Sequence, residues 1–89
     1  MATLELAIIN KLGLHARAAA KLVSLASSFA SDITIKRGDQ EVNAKSIMGV
    51  MMLAAAKGTT IEVHAEGEDA EHAIEQIAGL VNDRFGEPE

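Results

Sequence analysis

Thr60-Ile61-Glu62-Val63-His64-Ala65-Glu66 alternates apolar and polar residues without a break. Ile61, Val63 and Ala65 fall on one side, and Glu62, His64 and Glu66 on the other. Such a period of two is a strand with one dry face and one wet face. A sheet made of strands like this needs a cover for its dry face, and the next residues supply one. Gly67-Glu68-Asp69 reads as a turn, with Asp69 placed to cap a helix. Ala70, Ala73, Ile74, Ile77, Leu80, Val81 and Phe85 then line one side of that helix. Glu71 and Glu75 sit near its start, where the helix dipole favours acids. Gly86 to Glu89 is expected to be a frayed tail.

Upstream, Ser46 is a natural N-cap for a helix over Ile47-Met48-Gly49-Val50-Met51-Met52-Leu53. Lys57-Gly58 is expected to end it. Ile33 and Ile35 alternate with Thr34 and Lys36, and Glu41 to Ala44 returns after the Arg37-Gly38-Asp39-Gln40 turn, which predicts a hairpin. A helix is expected from Ala16 to Ser27, with Ala19, Leu22, Val23, Ala26 and Ala30 on its buried stripe. Leu4, Leu6 and Ile8 alternate with Thr3, Glu5, Ala7 and Ile9 in a first strand. The order is β-α-β-β-α-β-α. The expected fold is α+β: an open-faced β-sandwich whose four-stranded antiparallel sheet is covered on one face by three helices.

The 89 residues suffice for a single domain, 1–89. A chain this size buries only about 60% of its unfolded surface on folding. Trp, Tyr and Cys are absent, so the core must be thin and aliphatic. Without cysteine there is no disulfide and no thiolate metal site, which fits a cytoplasmic protein. The start Met-Ala-Thr-Leu-Glu lacks the basic opening of a signal peptide, and no apolar stretch is long enough to cross a bilayer, so no membrane insertion is expected. The net charge of −5 is uneven. Residues 1–57 carry seven Lys or Arg against four acids, and residues 58–89 carry one against nine. Overall acidity and an aromatic content of 2% exclude a general nucleic-acid binder. The basic first half suits an acidic protein partner.

Three features carry candidate chemistry. His15 lies where a glycine-containing loop enters a helix, in Gly13-Leu14-His15-Ala16-Arg17-Ala18. The first backbone N–H groups of a helix, here those of Ala16, Arg17 and Ala18, have no partner within it and attract anions, phosphate above all. Arg17 adds a bidentate cation, and histidine is nucleophilic near neutral pH. A transient phosphohistidine needs these parts, although a surface histidine ahead of a helix has the same spacing. Ser46 is first an N-cap. A phosphate on it would sit at a helix N-terminus without unfolding the chain. Ile47, Met48, Met51 and Met52 exceed what a two-turn helix can bury. Val50 and Leu53 are expected inward, and Ile47, Met48 and Met51 outward, where methionine suits adaptable contacts. His64 and His72 fall on different elements without metal-ligand spacing, so no metal and no other cofactor is expected. Arg37-Gly38-Asp39 reads as a hairpin turn, and Lys57-Gly58-Thr59 has the wrong upstream glycine spacing for a P-loop.

Gly13-Leu14-His15-Ala16-Arg17 resembles the active-site motif of the HPr family, the histidine-containing phosphocarriers of the bacterial phosphoenolpyruvate:sugar phosphotransferase system. Lys45-Ser46-Ile47-Met48-Gly49-Val50-Met51 resembles that family's regulatory-serine motif. Ala56-Lys57-Gly58-Thr59 and Ala65-Glu66-Gly67-Glu68-Asp69 resemble its later landmarks. The resemblance implies a covalent carrier rather than an enzyme. His15 would take a phosphoryl group on Nδ1 from phosphorylated enzyme I and pass it to a histidine of an enzyme IIA domain, with Arg17 neutralising the phosphate. Ser46 would be the target of an HPr kinase/phosphorylase. Ile47, Met48 and Met51 would form the docking face with Ala16, Ala20 and Lys21, rimmed by Arg17, Lys21 and Lys45. The family is typically monomeric. Its usual proline after His-x-Arg is Ala18 here, which keeps the helix but leaves the branch open between the sugar system and a nitrogen-related system. A regulatory binding module switched at Ser46 is the reading from another class.

Overall fold

The computed structural model describes residues 2–89. Its elements are β1 (Ala2–Ala7), α1 (Ala16–Ser27), β2 (Asp32–Arg37), β3 (Gln40–Asn43), α2 (Ile47–Met52), β4 (Thr60–Glu66) and α3 (Ala70–Asn82), followed by a 3₁₀ turn at Arg84–Gly86. The strands form one antiparallel sheet in the order β1-β4-β2-β3. β4 is central: Leu6 pairs with Ile61 on one side, and Ile35 with Val63 on the other. Ile33, Ile35, Ile61, Val63 and Ala65 are buried, and they share one core with Ala18, Ala19, Leu22 and Ala26 of α1 and Ala73, Ile77 and Val81 of α3. The other face stays wet. There Glu5 faces Glu62 and Asp32 faces Glu66 across neighbouring strands.

Several local expectations need correction. β1 ends at Ala7, although Ile8 still exchanges hydrogen bonds with Gly58 and Thr59. Leu4 is half exposed, near the outer end of the sheet. Ala30 lies beyond α1 and is exposed, and buried Phe29 takes its place in the core. α2 ends at Met52, well short of Lys57. Ala54 turns to φ 50°, and the Ala55 carbonyl accepts from the Leu14 N–H at 2.9 Å instead of continuing a helix. Asp69 does not cap α3. Its carboxylate accepts from the Ala30 and Ser31 N–H groups, each at 2.9 Å, and from the Ser31 hydroxyl. These bonds hold the Asp69 carboxyl below its ordinary value, the Ser31 hydroxyl contributing most.

The C-terminal residues do not fray. Arg84 and Phe85 both adopt φ 55° and Gly86 φ 78°, so the chain doubles back after α3. Phe85 is fully buried, and Lys21 Nζ donates to its carbonyl at 2.7 Å. The residues that follow are carried across the sheet end to the entrance of α1.

Candidate functional site

The site begins with the loop between β1 and α1. Asn10 is completely buried, and its Nδ2 donates to the Gly13 carbonyl at 2.8 Å, while the Gly13 N–H donates to the Asn10 carbonyl. Gly13 sits at φ 66°. A Cβ there would lie 2.5 Å from the Ala55 carbonyl oxygen and 2.9 Å from Ala56 Cα, so only glycine lets this loop reach the 54–56 segment. Leu14 is buried beside it. Anchored on both sides, the backbone delivers His15 at the N-cap of α1 in an extended conformation, φ −74° and ψ 177°.

A capping residue usually turns its side chain onto the helix amides. His15 does not. The first bond inside α1 runs from the Ala19 N–H to the His15 carbonyl, 2.8 Å. The amides of Ala16, Arg17 and Ala18 precede it at the positive end of the helix dipole; Ala16 and Arg17 line the surface there, while Ala18 is buried. The exposed Arg17 side chain shares an open cleft of about 730 Å³ with Lys11, Leu12, His15, Ala16 and the tail residues Glu87, Pro88 and Glu89. The cleft unites a half-buried imidazole, a guanidinium and a helix N-terminus, a set suited to a small dianion.

The tail completes this cleft. The His15 Nε2 is hydrogen-bonded to Glu87 Oε2, and Asn10 Nδ2 donates to Glu87 Oε1 at 3.0 Å. The Glu87 side chain is only 12% exposed and the His15 side chain 28%. The Asn10 bond, the His15 bond and then the charges of His15 and Arg17 hold the Glu87 carboxyl below the ordinary carboxylate range against its partial burial. The Lys11 N–H donates to the Glu89 carbonyl at 3.0 Å. Asn10 and Glu87 escaped the sequence reading. A buried asparagine in a loop has no pattern of its own, and Glu87 reaches His15 only through the reversal at Arg84–Gly86. Phe85, apolar beyond the end of α3, was the one available signal.

The remaining candidates lie elsewhere. Ser46 caps α2, its Oγ accepting from the Gly49 N–H at 3.2 Å. Val50 and Leu53 are buried, while Ile47, Met48 and Met51 are exposed, Met48 by 71%. Leu12 and Met52 are also exposed large apolar residues. Ala16 and Ala20 are exposed on α1, which packs beside α2. Two of the rim cations are engaged internally: Lys21 on the Phe85 carbonyl, and Lys45 Nζ on the Phe29 carbonyl at 2.8 Å. That leaves Arg17 as the outward charge. His64 bonds Thr3 and Glu62 on the open sheet face, and His72 packs edge-on against Phe29.

The family model describing the PTS HPr component phosphorylation site matches residues 2–83. The chain belongs to the HPr family. A phosphocarrier protein HPr of Cupriavidus necator is 52% identical over 92% of each chain. The crystal structure of HPr-C-His from Thermoanaerobacter tengcongensis covers all of both chains with a TM-score of 0.96 at 44% identity. A phosphocarrier protein NPr of Shewanella violacea is 46% identical over 93% of this chain and 91% of its own. Membership in the HPr family makes this a phosphocarrier of the phosphotransferase system. No helix among the described residues is long and apolar enough to cross a membrane.

Proposed function

We propose that the chain carries a phosphoryl group on His15 Nδ1, taken from phosphorylated enzyme I and passed to a histidine of an enzyme IIA domain in the cytoplasm. The observation that supports this best is the placement of His15: its ring is withheld from capping, at the first amides of α1 and beside the Arg17 guanidinium. Phosphoryl transfer is largely positioning and charge compensation, and this set supplies both. His15 Nδ1 attacks phosphorus, the donor's P–N bond breaks, and its electron pair returns to the donor ring. Arg17 and the three amides meet the phosphoryl oxygens. The same steps reversed deliver the group onward, with no turnover of the carrier's own. One copy of the chain holds every part of this site, so the reading needs no oligomer.

The proposed docking face is the exposed apolar set Ile47, Met48 and Met51 together with Ala16, Ala20 and Lys21, with Arg17 and Lys45 at its edge. Ser46 is proposed as a regulatory phosphorylation site for an HPr kinase/phosphorylase. Its hydroxyl already faces the first amides of α2, where a phosphate can replace the cap. Phosphate beside the docking face repels an acidic partner while leaving the fold intact. Similarity to both HPr and NPr relatives leaves sugar and nitrogen branches as alternatives, and the Ser46 motif favours the sugar branch.

Intact mass after incubation with enzyme I and phosphoenolpyruvate tests the main reading. One added phosphoryl group, lost in acid and missing in His15→Ala, is expected. A phosphoryl group that persists in His15→Ala defeats it.

A further inference from the structure

We infer that Glu87 is a positioning residue that decides which nitrogen of His15 is the nucleophile. The inference rests on His15 being the phosphoryl acceptor and adds how its ring is prepared. A neutral imidazole carries one N–H and one lone pair. A carboxylate accepts only, so the nitrogen facing Glu87 Oε2 carries the proton, and that nitrogen is Nε2. The lone pair is then on Nδ1. Asn10 makes the arrangement specific. It is fully buried and anchored to the Gly13 carbonyl, and it holds Oε1 so that Oε2 is left for the ring. Asn10, Glu87 and His15 thus form a relay in which a carboxylate, itself oriented, fixes the tautomer of a histidine.

The chemistry balances without moving a proton. The Nδ1–P bond forms, the donor's P–N bond breaks, and its electron pair leaves with the donor. The product ring keeps its Nε2 hydrogen and is cationic, with the Glu87 carboxylate against that hydrogen. The ring itself separates carboxylate from phosphoryl, so the two anions occupy opposite edges. Glu87 also covers the competing nitrogen, its side chain being 12% exposed. It lies beyond residues 2–83, the span matched by the family model, in the tail that Phe85 folds back.

A small donor separates this role from partner docking. Phosphoramidate transfers its phosphoryl group to imidazole nitrogens, with ammonia leaving on the P–N electron pair. The ¹⁵N-labelled full chain is treated with phosphoramidate, and the site of attachment is read from ¹⁵N and ³¹P spectra. The wild type is expected to give the Nδ1 product. In Glu87→Ala the Nδ1:Nε2 ratio is expected to fall roughly tenfold or more, the scale of losing one charge-assisted hydrogen bond. Glu75→Ala, which removes an acid on α3 outside the cleft, is expected to match the wild type. Equal ratios in wild type and Glu87→Ala, or a wild type labelled on Nε2, overturn the inference. Failure of enzyme I to phosphorylate His15 would instead defeat the carrier reading, and the phosphoramidate ratio would still report on Glu87. Amide spectra of Glu87→Ala that match the wild type away from the tail confirm that the ratio is read on an intact fold.

Discussion

At the scale of single residues, the site depends on one glycine, and a hydrogen-bonded carboxylate past the other end of α1, Asp69, carries a pH signature. Gly13→Ala combines a left-handed backbone cost of about 1–2 kcal/mol with a Cβ forced to 2.5 Å from the Ala55 carbonyl oxygen. The clash is with backbone, which cannot swing aside. Urea unfolding is expected to show a loss of more than 2 kcal/mol, on the order of the larger single-mutant effects. Phosphorylation of His15 is expected to fall in parallel, because the same backbone delivers the ring. Asp69 gives a pH signature. Its carboxyl titrates below the ordinary range in the folded chain, chiefly through the Ser31 hydroxyl and then the Ala30 N–H. A depressed folded value stabilises at pH above the unfolded value, and that contribution disappears as pH falls through the folded one. Asp69→Asn is therefore expected to flatten the stability profile below the usual carboxylate range and to lower stability at neutral pH. Denaturation midpoints across that acid limb check this. A variant with the slope of the wild type would contradict it.

At the scale of elements, the strands and long helices were readable because their periods are imposed by a half-buried sheet. Ile61, Val63 and Ala65 could face only one way, and Ile74, Ile77 and Val81 could share only one helical side. Two ends were not readable, for a common reason: each is set by a contact with a distant part of the chain. α2 stops at Met52 because the Ala55 carbonyl is claimed by Leu14, and Ala54 accepts a left-handed φ to allow it. The tail doubles back because Phe85 reaches the core from beyond α3. In the candidate site, His15 and Arg17 were legible as a motif, whereas Asn10 and Glu87 become visible only once loop and tail meet. Phe85→Ala tests that linkage. Emptying this site is expected to cost about 3–5 kcal/mol, and Glu87 is expected to leave His15. Thermal unfolding measures the first effect. The chemical shifts of the Glu87 amide and the His15 ring measure the second. A destabilised variant whose tail and ring signals stay in place would show that Phe85 does not hold the tail.

At the scale of the molecule, charge is concentrated on the wet face of the sheet, away from the partly compensated cleft. Glu5, Glu62, Glu66, Asp32 and Glu41 occupy the wet face of the sheet, where the strand registers bring Glu5 against Glu62 and Asp32 against Glu66. Lys36 is the one Lys or Arg that the same registers place among them. Like charges facing across strands cost about 0.2–1 kcal/mol, so this face is not arranged for stability alone. The cleft carries Arg17 and Lys11 beside Glu87 and Glu89, and Lys11 is paired with Glu89 at 3.5 Å. In a molecule with net charge −5, Arg17 and the N-terminus of α1 are the local positive charge open to an acidic partner. If enzyme I docks there, the field of the whole molecule orients the encounter before any contact forms. The second-order rate of phosphoryl transfer from enzyme I is then expected to fall about tenfold from low to physiological ionic strength, as charges more than a Debye length apart are screened. Glu5→Gln, far from the cleft on the wet face, is expected to leave the contacts made in the complex unchanged and to alter only the approach, so its transfer rate converges with that of the wild type as salt rises. If Arg17 neutralises the phosphate as proposed, Arg17→Ala loses that role as well as steering, and its rate is expected to stay low at every salt concentration. Rapid-quench transfer measurements over a salt series separate these behaviours. A wild-type rate independent of salt would mean that apolar contact by Ile47, Met48 and Met51, and not charge, brings the partner in.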